Sequence, residues 1–199
     1  MLVIGLTGGI DTGKTKVSSV LQDLGAKVIN AEMIGHKVCE PFSNAWKEIV
    51  ELFGKEILLP DDTIDRDKLG RIVFADSKLL SHLNAITHPR ILDIVRKSIS
   101  GFCDDPKNII VVEAALLIEA NWVSLVDEVW VTIATKERVI KRMTSQQRFD
   151  KETIEARMKS QISEHDRLTV ANVVIDNNGD IEQLTKQINT LWIERLHKI

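Results

Sequence analysis

Near the start of the chain, Gly8-Gly9-Ile10-Asp11-Thr12-Gly13-Lys14-Thr15 fits the phosphate-binding pattern G-x-x-x-x-G-K-[ST], directly after an apolar run, Leu2-Val3-Ile4-Gly5-Leu6. This juxtaposition predicts a buried strand, a loop whose backbone amides cradle phosphates, and a helix whose N-terminus favours anions. The residue types follow from that task. Glycines let amides approach the phosphates, Lys14 adds a cation, and the Thr15 hydroxyl supplies a magnesium ligand. An amphipathic stretch from Val17 to Leu24, stopped by Gly25, completes the strand–loop–helix order and argues against an accidental glycine turn. The segment therefore predicts a nucleoside triphosphate site formed by Gly8, Gly9, Ile10, Asp11, Thr12, Gly13, Lys14, Thr15 and Lys16.

Further β-rich runs follow at Ala26-Lys27-Val28-Ile29, Ile109-Ile110-Val111-Val112, Glu128-Val129-Trp130-Val131-Thr132-Ile133 and Val173-Val174-Ile175. Helical stretches separate them, so the expected fold is α/β, a doubly wound parallel sheet of five strands flanked by helices. Ligands on such sheets collect beyond the carboxyl ends of the strands. The phosphate loop, Asn30 to Glu32, and Glu113 all fall at those ends. With 199 residues, 44% hydrophobic and 28% charged, the chain can bury one sizeable core, and disordered or collagen-like classes are excluded. A net charge of −3 gives no sign of a nucleic-acid binder. No basic leader, apolar signal core or bilayer-length run appears, so the expectation is a cytoplasmic protein with no membrane partner. Cys39 and Cys103 lack CxxC spacing and read as buried or incidental thiols.

From about Ile34 to Gly101 the pattern is helical, with Trp46, Ile49, Val50 and Phe53 at amphipathic spacing, which predicts a helical excursion beside the crevice. Within it, His88 precedes Pro89. That order predicts an extended His88 and a helix whose first turn contains Pro89. From the residues alone, His88 reads as a structural histidine. Between Lys136 and Arg167, nine basic residues face six acidic ones, against the acidic balance of the whole chain. Arg138 and Arg142 are four apart and share a helix face. The segment reads either as a clamp closing over polyphosphate or as a solvated helix laced with ion pairs. At the C-terminal end, Ile181, Leu184, Ile188, Leu191 and Trp192 fit a helix packed on the sheet or a self-association surface, so the chain is expected to be a monomer or a weak homo-oligomer.

Taken in order along nearly the whole chain, these segments resemble the dephospho-coenzyme A kinase family of phosphate-loop kinases. The resemblance is carried by Gly5-Leu6-Thr7-Gly8-Gly9-Ile10, by Ile64-Asp65-Arg66 with Leu69 and Val73-Phe74, and by Ile86-Thr87-His88-Pro89-Arg90. Leu116-Leu117-Ile118-Glu119, Arg157 with Gln161, and Val174-Ile175-Asp176-Asn177-Asn178-Gly179 extend it. It implies a P-loop kinase fold with three parts: a discontinuous nucleotide-binding core (about 1–33, 108–135 and 168–199), a helical coenzyme A subdomain (about 34–107) and a lid (about 136–167). The implied reaction is transfer of the ATP γ-phosphoryl group to the ribose 3′-hydroxyl of dephospho-coenzyme A, with Mg²⁺ as cofactor. Lys14, Glu32 and Arg142 are then the implied catalytic residues, and Thr15 and Glu113 the metal site. Asn177 and Gly179 join the nucleotide site, while Glu32, Asp65, Arg66, His88, Glu113 and Leu116 line the acceptor site.

Several positions depart from the family pattern, and they cluster near the chemistry. Asn30-Ala31-Glu32 stands in place of Asp-Ala-Asp, so Glu32 retains a carboxylate as candidate base while Asn30 can only hydrogen-bond. Asp11 puts a carboxylate near anionic phosphates, which weakens ATP binding unless it turns outward or pairs with a cation such as Lys16. Gln146 occupies a customary arginine position, with Arg148 two residues beyond it. Glu113 and Ala115 replace an Asp and a Pro. Besides the kinase, the sequence admits another small-molecule phosphate-loop kinase, or a nucleotide sensor that has lost catalysis.

Overall fold

The computed structural model describes residues 1–145 and 161–197. Gln146, Arg148 and Arg157 lie outside the described residues. Five parallel strands form one sheet: β1 (Leu2–Gly8), β2 (Lys27–Asn30), β3 (Ile109–Glu113), β4 (Glu128–Ile133) and β5 (Val173–Asp176), in the order β2-β3-β1-β4-β5. All five residues of β3 and six of the seven in β1 are buried, which is why both read as unbroken apolar runs rather than as alternation. β1 is central, with β3 on one side and β4 on the other. That arrangement is the topological switch point of an open α/β sheet, and the phosphate loop leaves β1 there.

One compact unit comprises Met1–Asn30 and Ser98–Ile199. Its core packs helix α1 (Lys14–Asp23) and the C-terminal helix (Ile181–Leu196) on one sheet face, through Val17, Leu21, Leu184, Ile188 and Trp192 against Ile4, Leu6, Val111, Trp130 and Ile175. On the other face Gly5 lies so close to the segment after β3 that an added Cβ would stand 2.7 Å from Leu117. The C-terminal helix opens on a capping box, in which Asp180 and Gln183 satisfy each other's backbone N–H.

The second unit, Ala31–Lys97, is helical, as the amphipathic spacing predicts. It contains α2 (Ala31–Val38), α3 (Asn44–Phe53), α4 (Arg66–Ala75) and most of α5 (Ser77–Ser100). Ile49, Phe53, Ile57, Ile64, Leu69 and Val73 form its own core. The His88-Pro89 reading needs correction. Both residues lie inside the continuous 24-residue α5, so His88 is helical and Pro89 is not in a first turn. The preference of a residue before proline for extended backbone is local, and the helix on both sides overrides it. No helix among the described residues is long and apolar enough to cross a membrane.

Candidate phosphoryl-transfer site

The loop between β1 and α1 is built around two close approaches that only glycine permits. Gly13 caps α1 with φ +105°, and a Cβ there would stand 2.0 Å from the Asn177 side-chain nitrogen. That nitrogen donates to the Thr12 carbonyl at 2.8 Å. Gly8 pairs in register with Thr132 of β4, and a Cβ on Gly8 would stand 2.2 Å from the Thr132 hydroxyl. The Thr12 and Thr132 hydroxyls are 2.7 Å apart, which fastens the loop to the sheet. Asp11 takes φ +52°, a left-handed conformation that aspartate tolerates better than most residues. No side chain caps α1, and its first turn carries no acidic residue, so the helix terminus remains electropositive.

Lys14 is 9% exposed, with Nζ 3.2 Å from the carbonyl oxygens of both Gly8 and Gly9. The side chain folds back along the loop and places its charge at the Gly8–Gly9 rim. At the foot of α1, Glu113 is 2% exposed and accepts three hydrogen bonds: from Thr15 Oγ1 at 2.8 Å, Ser18 Oγ at 2.7 Å and Asn30 Nδ2 at 3.2 Å. Register explains the last contact, because Asn30 and Glu113 are Cα partners at the carboxyl ends of neighbouring strands. Asn30 therefore donates to a carboxylate where an aspartate would repel it. The Thr15 and Glu113 oxygens are hard donors of the kind Mg²⁺ takes, and no cluster of three His, Cys, Asp or Glu ligands exists among the described residues. A magnesium ion held by one or two protein oxygens plus substrate phosphates fits this donor set.

From the opposite side, Arg142 of α6 (Lys136–Ser145) donates to the Asp11 carbonyl at 3.3 Å and to the Asn177 carbonyl at 2.8 Å. Arg138, on the same face, donates to the Gly179 carbonyl at 3.2 Å. The paired-arginine face thus joins the phosphate loop to the turn after β5. Gln161 accepts from the backbone N–H of Ile10 at 2.9 Å.

The sequence model of the dephospho-CoA kinase family matches residues 2–183. The chain belongs to the dephospho-CoA kinase family. A dephospho-CoA kinase of Carboxydothermus hydrogenoformans is 41% identical over 189 residues, covering 95% of this chain and 92% of that protein. Among solved structures, a protein of Thermus thermophilus superposes with TM-score 0.81 at 26% identity, covering 97% of each chain. A dephospho-CoA kinase from Campylobacter jejuni superposes with TM-score 0.72 at 26% identity, covering 98% of each chain. Membership accounts for the kinase fold and the α/β topology together.

The remaining expected positions of this kinase fold into varied surroundings. Lys16 is exposed on α1 and Leu116 is 39% exposed after β3. In the helical unit, Glu32 is exposed in the first turn of α2. Asp65 caps α4, accepting from the Lys68 N–H at 2.9 Å, so its carboxylate already has a local task. Arg66 is exposed and reaches the His36 carbonyl at 3.5 Å. The His36 imidazole is pushed below its ordinary value by burial and by Arg66, with Glu32 opposing. His88 is half-buried, and burial lowers its imidazole as well. Cys39 is half-buried with its thiol pushed up, chiefly by burial, and Cys103 is exposed. Sequence reasoning passed over Ser18, Thr132 and Arg167. Ser18 lies one turn after Thr15, a spacing that points to the same face, but Thr132 and Arg167 carry no contiguous signal.

Proposed function

We propose that this chain transfers the γ-phosphoryl group of ATP to the ribose 3′-hydroxyl of dephospho-coenzyme A, the reaction of its family. The observation that carries the reading is the braced phosphate loop, with Lys14 at its rim and the Thr15–Glu113 pair at its foot. In the transfer, the bond from the γ-phosphorus to the β–γ bridging oxygen breaks and a bond to the ribose 3′-oxygen forms. The hydroxyl proton leaves to a carboxylate, and Glu32 is the residue assigned to take it. Loop amides and Lys14 hold the non-bridging oxygens, and Arg142 adds positive charge while tying the loop to the turn after β5. Thr15 and Glu113 would hold Mg²⁺, which when bound neutralises phosphate charge. Glu113, fixed by Ser18 and Asn30, keeps the threonine hydroxyl oriented for that purpose.

Asp65, Arg66, His88 and Leu116 are the residues assigned to the acceptor in this reading. Asn177 and Gly179 border the nucleotide. In this reading the enzyme works in the cytoplasm. The test is ADP release by purified protein with ATP and Mg²⁺, with and without dephospho-coenzyme A, while 3′-phosphorylated product is followed by mass. Acceptor-dependent product supports the kinase; ATP binding without product favours the nucleotide sensor or a kinase for another acceptor. Glu32→Ala should lower kcat about 10²- to 10⁴-fold with ATP affinity nearly unchanged. Unaltered turnover would remove Glu32 from its role.

A further inference from the structure

Arg167, on the short helix Glu164–Thr169, is 3% exposed, and among the described residues its buried guanidinium is paired with the single carboxylate of Glu119. Nη2 donates to the Ile162 carbonyl at 3.3 Å and stands 3.8 Å from Glu119 Oε1, too far for a hydrogen bond. Nε has no hydrogen-bond partner among the described residues. The same molecule shows what a structural buried arginine looks like. Arg195, 7% exposed, meets Glu128 at 3.0 Å and Glu194 at 2.9 Å, and its guanidinium lies 5.5 Å from the centre of the Trp130 ring. At Arg167, Glu119 pairs with the charge from one side only and Nε is left unbonded among the described residues, so the guanidinium keeps donor capacity that a second anion would take up.

The position of Arg167 says where such an anion would sit. Its Nη1 lies 3.7 Å from the point where a Cβ on Gly9 would stand, and Gln161 Oε1 is 3.9 Å from that same point. Lys14 Nζ is 3.2 Å from the Gly9 carbonyl. Two cations therefore flank Gly9, one from α1 and one from the segment after Gln161. In phosphate loops the lysine reaches the β- and γ-phosphates, so a second cation at this rim faces the terminal end of the triphosphate. A guanidinium suits that place, since its planar donors match phosphate oxygens and it keeps its protons throughout.

We propose that Arg167 is a phosphate-binding residue of the donor site, contacting the terminal phosphoryl group at the Gly9 rim and stabilising its charge during transfer, with Glu119 holding the guanidinium in place. The proposal rests on the kinase reading above. Arg167→Gln removes the charge but keeps a donor for the Ile162 carbonyl; Arg167→Lys keeps the charge. Each full-length variant would be melted with saturating ATP and with AMP, and assayed with dephospho-coenzyme A per folded molecule. The expected result for Arg167→Gln is a kcat about 100-fold lower and loss of the extra thermal stabilisation that ATP gives over AMP. Arg167→Lys should keep that extra stabilisation. Turnover within about threefold of the parent, or equal loss of ATP and AMP stabilisation, overturns the proposal. Should the glutamine variant not fold, the lysine variant decides: a folded protein that keeps the ATP-over-AMP difference supports the proposal, whereas one that loses ATP and AMP stabilisation equally, or does not fold either, assigns Arg167 a structural role. Wild-type protein that makes no 3′-phosphorylated product refutes the acceptor, whereas the ATP-over-AMP comparison still decides the placement of Arg167.

Discussion

Gly13 combines a left-handed φ of +105° with an approach to Asn177 that leaves no room for a methyl group. An L-residue there costs about 1–2 kcal/mol from the backbone conformation alone. Asn177 must also retreat, which breaks its bond to the Thr12 carbonyl. Gly13→Ala should therefore lower the melting temperature by several degrees and weaken ATP binding at least tenfold, because the displaced amides are those that face phosphate; unchanged ATP-induced stabilisation in a melting assay would count against this account of the loop. Glu113 poses a different question, since all three of its partners are donors. Glu113→Gln removes the charge and replaces one acceptor oxygen by an NH₂ group, which either turns the Thr15 hydroxyl from donor to acceptor or meets the Asn30 amide donor to donor. Activity should fall about 10–100-fold, with a higher Mg²⁺ concentration needed for half-maximal rate, as expected when a metal's supporting shell is disturbed. Initial rates across a magnesium series check this, and an unchanged half-maximal Mg²⁺ concentration would separate Glu113 from the metal.

α5 shows what an element can do to a residue's local preference. Pro89 lacks the N–H that would bond the Ala85 carbonyl, and proline in a helix interior costs about 3 kcal/mol. Part of that cost is offset by the reduced freedom of proline in the unfolded chain. Pro89→Ala should thus stabilise the protein by about 1–2 kcal/mol in denaturant titration, and a loss of stability would mean that the ring itself packs usefully. Next to it, burial holds His88 below its ordinary 6.5, so the unfolded chain binds the proton more readily. Stability contributed by the neutral imidazole is present above pH 6.5 and is lost as pH falls from there toward the depressed folded value. Comparing urea midpoints at pH 7.5 and pH 5.5, His88→Gln should show a smaller acid loss than the parent; an equal loss would assign the effect to His36, whose imidazole is lowered too. The strands were legible in the sequence because a buried parallel strand is a continuous apolar run, and β4 spans the same Glu128–Ile133 in sequence and structure. His88-Pro89 was not, because its signal is a dipeptide preference and the outcome depends on a helix of 24 residues.

Across the whole molecule, legibility follows how the interacting residues are spaced. The phosphate loop is contiguous and could be read directly, whereas Asn30 meets Glu113 across 83 residues through strand register, and Thr12 meets Thr132 across 120 because the loop folds back onto β4. The same separation divides the cores. Ile49, Phe53, Ile57, Ile64, Leu69 and Val73 share no residue with the cluster of the sheet unit around Ile4, Leu6 and Trp130. Each unit therefore has apolar burial of its own to lose. Ile57 is fully buried in the smaller core, and truncating it to alanine should cost about 2–5 kcal/mol. Because that loss falls within Ala31–Lys97, hydrogen exchange in Ile57→Ala should accelerate across α3 and α4 while β1 and β3 keep their protection. Saturating ATP stabilises whichever unit binds it, by about 2.7 kcal/mol at one hundred times Kd. Added ATP should then slow exchange in β1 and α1 of the variant and leave α3 and α4 fast. Uniform acceleration of both units would instead show that the chain opens as one cooperative body.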